Sequence, residues 1–99
     1  MKILLFLANG VEILEASAFI DVFGWNTVHN QKETQIVTCG FTKEIISTFG
    51  IPIKVDVLIK DVAVDDYDAL AIPGGFEEFG FYEDAFDEGF LEIIGRFND

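Results

Sequence analysis

The sequence predicts an α/β protein, an open parallel sheet with helices on both faces, and three observations carry that prediction. Ile3 to Ala8 is an unbroken apolar run, the mark of a strand covered on both sides. A long helical pattern follows it at once. A second buried stretch, Ala69 to Ile72, runs into Pro73-Gly74-Gly75, where proline ends the strand and paired glycines leave backbone amides uncovered. Strand, helix, strand, further strands, buried strand, helix is the order of a parallel sheet with crossover helices.

Asn9-Gly10 turns the chain out of the first strand into a helix expected from about Val11 to Val28. Ile13, Ala16, Ile20 and Phe23 fall on one face at helical spacing, with Phe19 and Val22 broadening the stripe. Asn9 fits a helix cap, and Glu12 three residues later has the spacing of a capping box. Glu33 to Cys39 reads as the second strand, closed by a turn at Gly40. Glu44 to Thr48 reads as a short strand and Ile53 to Ile59 as another, alternating around Lys54 and Asp56. Asp65-Asp66 is turn-like ahead of the buried strand. An aromatic and acidic segment, Phe76 to Phe86, leads to a helix from Asp87 to Phe97, with Phe90, Leu91, Ile94 and Phe97 at helical spacing. There is no Pro/Ser-rich linker, low-complexity tract or repeat, so residues 1–99 read as one domain or part of one. The last helix has to return the chain to the sheet, so a further strand is expected beyond Asp99.

Composition narrows the function. The 99 residues are 51% hydrophobic, enough for one small core. The formal charge of -12 repels nucleic-acid phosphates and anionic membrane surfaces, which argues against both partners. A soluble acidic surface is the simplest account of the excess. The single cysteine excludes an internal disulfide and any Cys-rich metal framework. The apolar start after Lys2 is short and broken by Asn9, Gly10 and Glu12, unlike a signal peptide. No run approaches the ~20 apolar residues of a membrane span. A reduced, cytoplasmic setting is expected. No cofactor or metal is expected either: Glu77, Glu78, Glu83, Asp84, Asp87 and Glu88 lack EF-hand spacing and interleaved histidine, and read as a solvated face.

Ligands of open α/β sheets bind outside the carboxyl ends of the strands. Asn9-Gly10 and Pro73-Gly74-Gly75 both stand at such ends and are expected to converge on one crevice. Glu15 lies one turn beyond Glu12 on the same helix face. Buried in that crevice, it could exchange a proton with a thiol or a substrate; the alternative is an exposed acid of the kind favoured near a helix N-terminus. Gly74 and Gly75 could offer backbone amides to an oxyanion, the alternative being a plain turn. Cys39, ending the second strand, reads as a small packing residue. His29 stands near a helix C-terminus, where positive charge is favourable; a role as ligand or base is the less favoured reading. Phe76, Phe79, Phe81, Tyr82, Phe86 and Phe90 read as core or subunit interface rather than a ligand-stacking surface.

Two of these segments resemble a known family. The run from Ile3 through Asn9-Gly10-Val11-Glu12-Ile13-Leu14 to Glu15, and the run Tyr67-Asp68-Ala69-Leu70-Ala71-Ile72-Pro73-Gly74-Gly75, are similar to the opening and the "yDal-PGG" segment of the ThiJ/PfpI (DJ-1-like) family. That family is related to class I glutamine amidotransferases, and the chain resembles its amino-terminal half. The resemblance implies a flavodoxin-like three-layer sandwich. It implies that Glu15 contacts a reactive cysteine and that Gly75, beside Gly74, gives an amide to an oxyanion hole. The family's nucleophile follows the strand that would come after Asp99, and Cys39 does not match it. The implied function is cysteine-dependent hydrolase chemistry (deglycase, glyoxalase-like, or peptidase/amidase), completed by a carboxyl-terminal fragment or second chain that brings the cysteine; isonitrile hydratase chemistry also occurs in the family. The alternative is a non-catalytic binding or regulatory module of the same fold. A receiver or phosphate-binding domain is disfavoured: Asn9 and Gly10 stand where a receiver places acids, and the Gly-rich turn lacks the lysine of a phosphate loop. Half a parallel sheet exposes strand edges, so a covering partner and homo-oligomerisation are expected.

Overall fold

The computed structural model describes residues 1–30, 33–75, 83–84 and 86–97. The strands are β1 (Lys2–Phe6), β2 (Gln35–Gly40), β3 (Glu44–Ile46), β4 (Pro52–Lys54), β5 (Val57–Leu58) and β6 (Ala69–Ala71). The helices are α1 (Ile13–Asn30) and α2 (Glu88–Phe97), with single 3-10 turns at Thr48–Gly50, Ile59–Asp61 and Val64–Asp66. Four strands form a parallel sheet in the order β5-β2-β1-β6, and β3 and β4 form a separate antiparallel pair. This is the expected α/β architecture. Among the described residues, β6 has a neighbour on one side only.

The apolar run of β1 is buried because alternate residues point to opposite faces and both faces are covered. Leu4, Phe6 and Ala8 pack with Val37, Cys39 and the α2 residues Phe90 and Ile93. The Phe6 and Phe90 rings stack with centroids 3.7 Å apart, and Phe41 meets Phe6 edge-on at 5.9 Å. Ile3, Leu5 and Leu7 pack on the other side with Val11, Ala16, Ile45 and Ala71, and Phe19 and Phe23 of α1 close over them. Each fully buried large apolar side chain of β1 contributes about 1.5–3 kcal/mol. The helices therefore lie on opposite faces of the sheet, and the shared central strand is what joins them.

Several local expectations are corrected. Residues 53–59 do not form one strand. The backbone leaves β4 at Lys54 and enters β5 at Val57, because Asp56 pairs with Thr38 across the gap: Thr38 N–H and Oγ1 donate to Asp56 Oδ2 at 2.9 and 3.1 Å, and Asp56 N–H donates to Thr38 O at 3.0 Å. The capping box does not form either. Asn9 Oδ1 accepts from Ile46 N–H at 2.9 Å instead, so α1 starts at Ile13 with Glu12 as its boundary residue. The core face of α1 is Ala16, Phe19 and Phe23, whereas Ile20 and Val22 are exposed. In α2 the buried pair is Phe90 and Ile93, while Leu91 faces outward. Asp87 caps α2, its Oδ2 accepting from Phe90 N–H at 3.1 Å.

Candidate active site

The two glycine turns meet at the carboxyl end of the sheet. β1 leaves the sheet through Asn9-Gly10, where Gly10 has φ +79°, a left-handed conformation that costs glycine nothing. The turn is held by buried threonine chemistry from the β3–β4 connection. Thr48 N–H donates to Val11 O at 2.9 Å, and its Oγ1 lies 3.0 Å from both Gly10 O and Val11 O. Gly10 N–H donates to Ile46 O at 2.7 Å. Polar backbone that would otherwise be buried without partners is thereby satisfied.

Against this turn lies Pro73-Gly74-Gly75, delivered by β6, whose Ala71 pairs with Leu5 of β1. Val11 and Gly75 form an isolated antiparallel bridge, and Glu12 N–H donates to Gly74 O at 2.9 Å. Glu15, in the first turn of α1, then comes down on the Gly74 backbone. A Cβ placed on Gly74 would lie 2.9 Å from Glu15 Oε2 and 3.1 Å from Oε1. Only glycine leaves room for the carboxylate there. Among the described residues no donor reaches Glu15, and the Gly75 N–H has no acceptor. A carboxylate and a backbone amide without an acceptor among the described residues thus share one end of the sheet. That pairing can take a proton and stabilise a developing oxyanion.

Glu15 is not buried in this chain; it stands on the exposed side of α1, contrary to the crevice burial considered from sequence. Cys39 is remote in role. It is fully buried between Phe6 and Val57 in the sheet, and burial pushes its thiol up to about 12, which suppresses the thiolate needed for nucleophilic attack. His29 falls in the last turn of α1, and its side chain lies outside what is described. Phe76, Glu77, Glu78, Phe79, Phe81 and Tyr82 likewise lie outside the described residues, while Phe86 is exposed and Phe90 is core. No metal-binding group of three His, Cys, Asp or Glu occurs among the described residues. No helix among them is long and apolar enough to cross a membrane.

Sequence reasoning missed two contributors. Thr48 looked like the end of a strand, and its bonds to residues 37 and 38 positions away leave no local pattern. Asp84 sat in an acidic run, yet its Oδ2 accepts from Asn9 N–H at 2.7 Å. Burial raises the Asp84 carboxyl pKa, the Asn9 hydrogen bonds work against that, and Glu83 and Asp87 add to the rise.

Comparisons with known proteins bear on the family and the fold. The profile of the DJ-1/PfpI family matches residues 1–95. The uncharacterized protein SAV1875 of Staphylococcus aureus is 35% identical over 78 residues, covering 76% of this chain and 42% of that protein. Among solved structures, oxidized Toxoplasma gondii DJ-1 superposes with a TM-score of 0.77 at 26% identity, covering 96% of this chain and 48% of that one. Schizosaccharomyces pombe DJ-1 gives a TM-score of 0.73 at 21% identity, over 98% of this chain and 52% of that one, and shows likeness of fold. The chain thus spans about half the length of the relatives it matches. On the profile match and the shared architecture, this chain belongs to the DJ-1/PfpI family, and it corresponds to the amino-terminal half of the family domain.

Proposed function

We propose that the chain supplies the amino-terminal half of a cysteine-dependent DJ-1/PfpI-type hydrolase. One observation carries the reading: the Glu15 carboxylate rests on the Gly74 backbone next to Gly75, whose N–H has no acceptor among the described residues. In the completed enzyme a cysteine from the carboxyl-terminal half attacks an electrophilic carbon. Glu15 takes the thiol proton as the sulfur–carbon bond forms, and the Gly75 N–H donates to the oxygen that gains the electron pair. Cys39 takes no part, and as the one cysteine of the sequence it supports a nucleophile supplied from elsewhere. The completing half adds its strand beside β6, the edge strand that carries the Pro73-Gly74-Gly75 turn. A reduced, cytoplasmic setting suits the buried free thiol. The test is Glu15→Gln in the completed protein. Loss of turnover with the fold retained supports the assignment; unchanged turnover rejects it.

A second copy of the chain on the outer face of α1 is part of the same proposal. Apart from His29, Glu15 and Asp21 are the only ionisable side chains of this helix, and Leu14, Val22 and Val28 stand exposed. A helix apolar on all sides is normally covered on all sides. The burial of Cys39, the one cysteine of the sequence, also favours a second reading, a binding or regulatory module without turnover. In that case Glu15→Gln leaves its cellular activity unchanged.

A further inference from the structure

Asn9 is held from two directions. Its side-chain oxygen takes the Ile46 N–H at 2.9 Å, and its own backbone N–H is taken by Asp84 Oδ2 at 2.7 Å, a bond spanning 75 residues. Two residues along from Asn9, Val11 bridges Gly75; one further, Glu12 N–H holds Gly74 O. Gly75 and Asp84 are therefore both fastened to the β1–α1 turn. These contacts all fall on the short stretch from Asn9 to Glu12. Glu15, one helical turn later, takes its position from that stretch as well.

From this double attachment we propose that Asp84 is a positioning residue, which fixes the Asn9 turn and so sets the Gly74-Gly75 backbone and Glu15 relative to one another. This rests on the reading of Glu15 and Gly75 as site residues, but its geometric content does not depend on any activity. A bond from a main-chain N–H to an ionised acceptor is stronger than a neutral one, and it is directional. Fold stability alone does not explain a carboxylate here. Burial disfavours its charge, and an asparagine would offer an oxygen to the same N–H without that cost. The alternative is a local tie that holds only Glu83 and Asp84 in place.

Amide hydrogen exchange on the isotopically labelled chain separates these. In Asp84→Ala the Asn9 amide should exchange roughly ten- to a hundredfold faster, the loss expected of a bond to a charged partner. The positioning role adds a second effect: the Glu12 amide, bonded to Gly74 O, also exchanges faster, and the Gly75 amide resonance shifts. Asp84→Asn, which keeps an acceptor but not the charge, should restore all three only in part. If Asn9 alone responds and Glu12 and Gly75 keep wild-type behaviour, Asp84 is a local tie and the proposal is overturned. Should the alanine variant fail to fold, Asp84→Glu moves the carboxylate by one methylene while keeping its charge. It should displace the Gly75 resonance, and an unmoved Gly75 again overturns the proposal. A negative Glu15→Gln turnover result would remove the catalytic reading while leaving these exchange outcomes standing.

Discussion

Gly74→Ala is the sharpest perturbation of the proposed site, because it should separate function from stability. Gly74 does not share the left-handed backbone of Gly10 and Gly50, so its main chain accepts alanine. The added Cβ would meet Glu15 Oε2 at 2.9 Å, Oε1 at 3.1 Å and Cδ at 3.3 Å, all closer than ordinary contact. Those atoms are the tip of a flexible, exposed side chain, so Glu15 swings away rather than the backbone moving. Displacing the rotamer costs about 0.5–1.5 kcal/mol. Removing glycine freedom from the unfolded chain returns about 0.4–1 kcal/mol. The net change in stability is therefore within about 1 kcal/mol, read as an almost unmoved denaturation midpoint at constant slope. The carboxylate, however, is displaced by about 1 Å or more, which in a completed enzyme costs on the order of a hundredfold in turnover. Chemical denaturation of the chain, the Glu15 side-chain carboxyl resonance and turnover of the completed protein together form the assay. A destabilisation well above 2 kcal/mol with an unshifted Glu15 resonance would mean that Gly74 packs against something other than this carboxylate.

Thr48→Val keeps shape but removes the hydroxyl shared by Gly10 O and Val11 O, and should destabilise the chain by about 1–2 kcal/mol in urea unfolding. Cys39, with its thiol pushed up to about 12, should be about one part in ten thousand thiolate at pH 8, so modification by a chromogenic disulfide should follow unfolding rather than direct attack. Asp84 has a folded-state pKa raised above its unfolded value, so its contribution to stability is present in acid and lost as pH rises through the folded pKa. Relative to Asp84→Asn, the wild-type chain should lose stability from about pH 4 upward; a flat difference would mean no shift exists. Val22→Lys, on the exposed face of α1, should reduce any self-association seen by analytical ultracentrifugation while leaving the circular dichroism unchanged.

What could be read from the sequence and what could not follow from the range of the interactions. The apolar run at Ile3–Ala8 announces a strand buried on both faces, and the structure places Phe6 against Phe90 on one side and Leu5 in the α1 cluster on the other. Ala69 to Gly75 was equally legible, since proline and glycine punctuate a strand wherever it stands in a fold. Local pattern failed where distant groups competed for a residue. Asn9 had the composition and spacing of a helix cap, but Ile46 and Asp84 take its side chain and its backbone. Asp56 fitted an alternating strand until Thr38, 18 residues away, drew it out of line. For α1, apolar residues stand on the exposed side as well as the buried one, so periodicity could not say which stripe faces the sheet; packing selects Ala16, Phe19 and Phe23. Glu15 and Gly74 were each nameable in advance, but their contact depends on how α1 and β6 are set on β1, which no spacing encodes.

The central claim, that Glu15 and Gly75 serve a cysteine outside these 99 residues, is tested most directly by native mass spectrometry of the protein isolated from its source, combined with alkylation of its thiols. The expected result is a mass beyond the 11.1 kDa chain that includes a cysteine reactive at neutral pH, either on a bound polypeptide or on further sequence joined to this one. Replacing Glu15 by Gln should slow alkylation of that cysteine. Recovery of the 11.1 kDa chain and its multiples alone, with Cys39 unreactive, would contradict the account and leave a fold without a nucleophile.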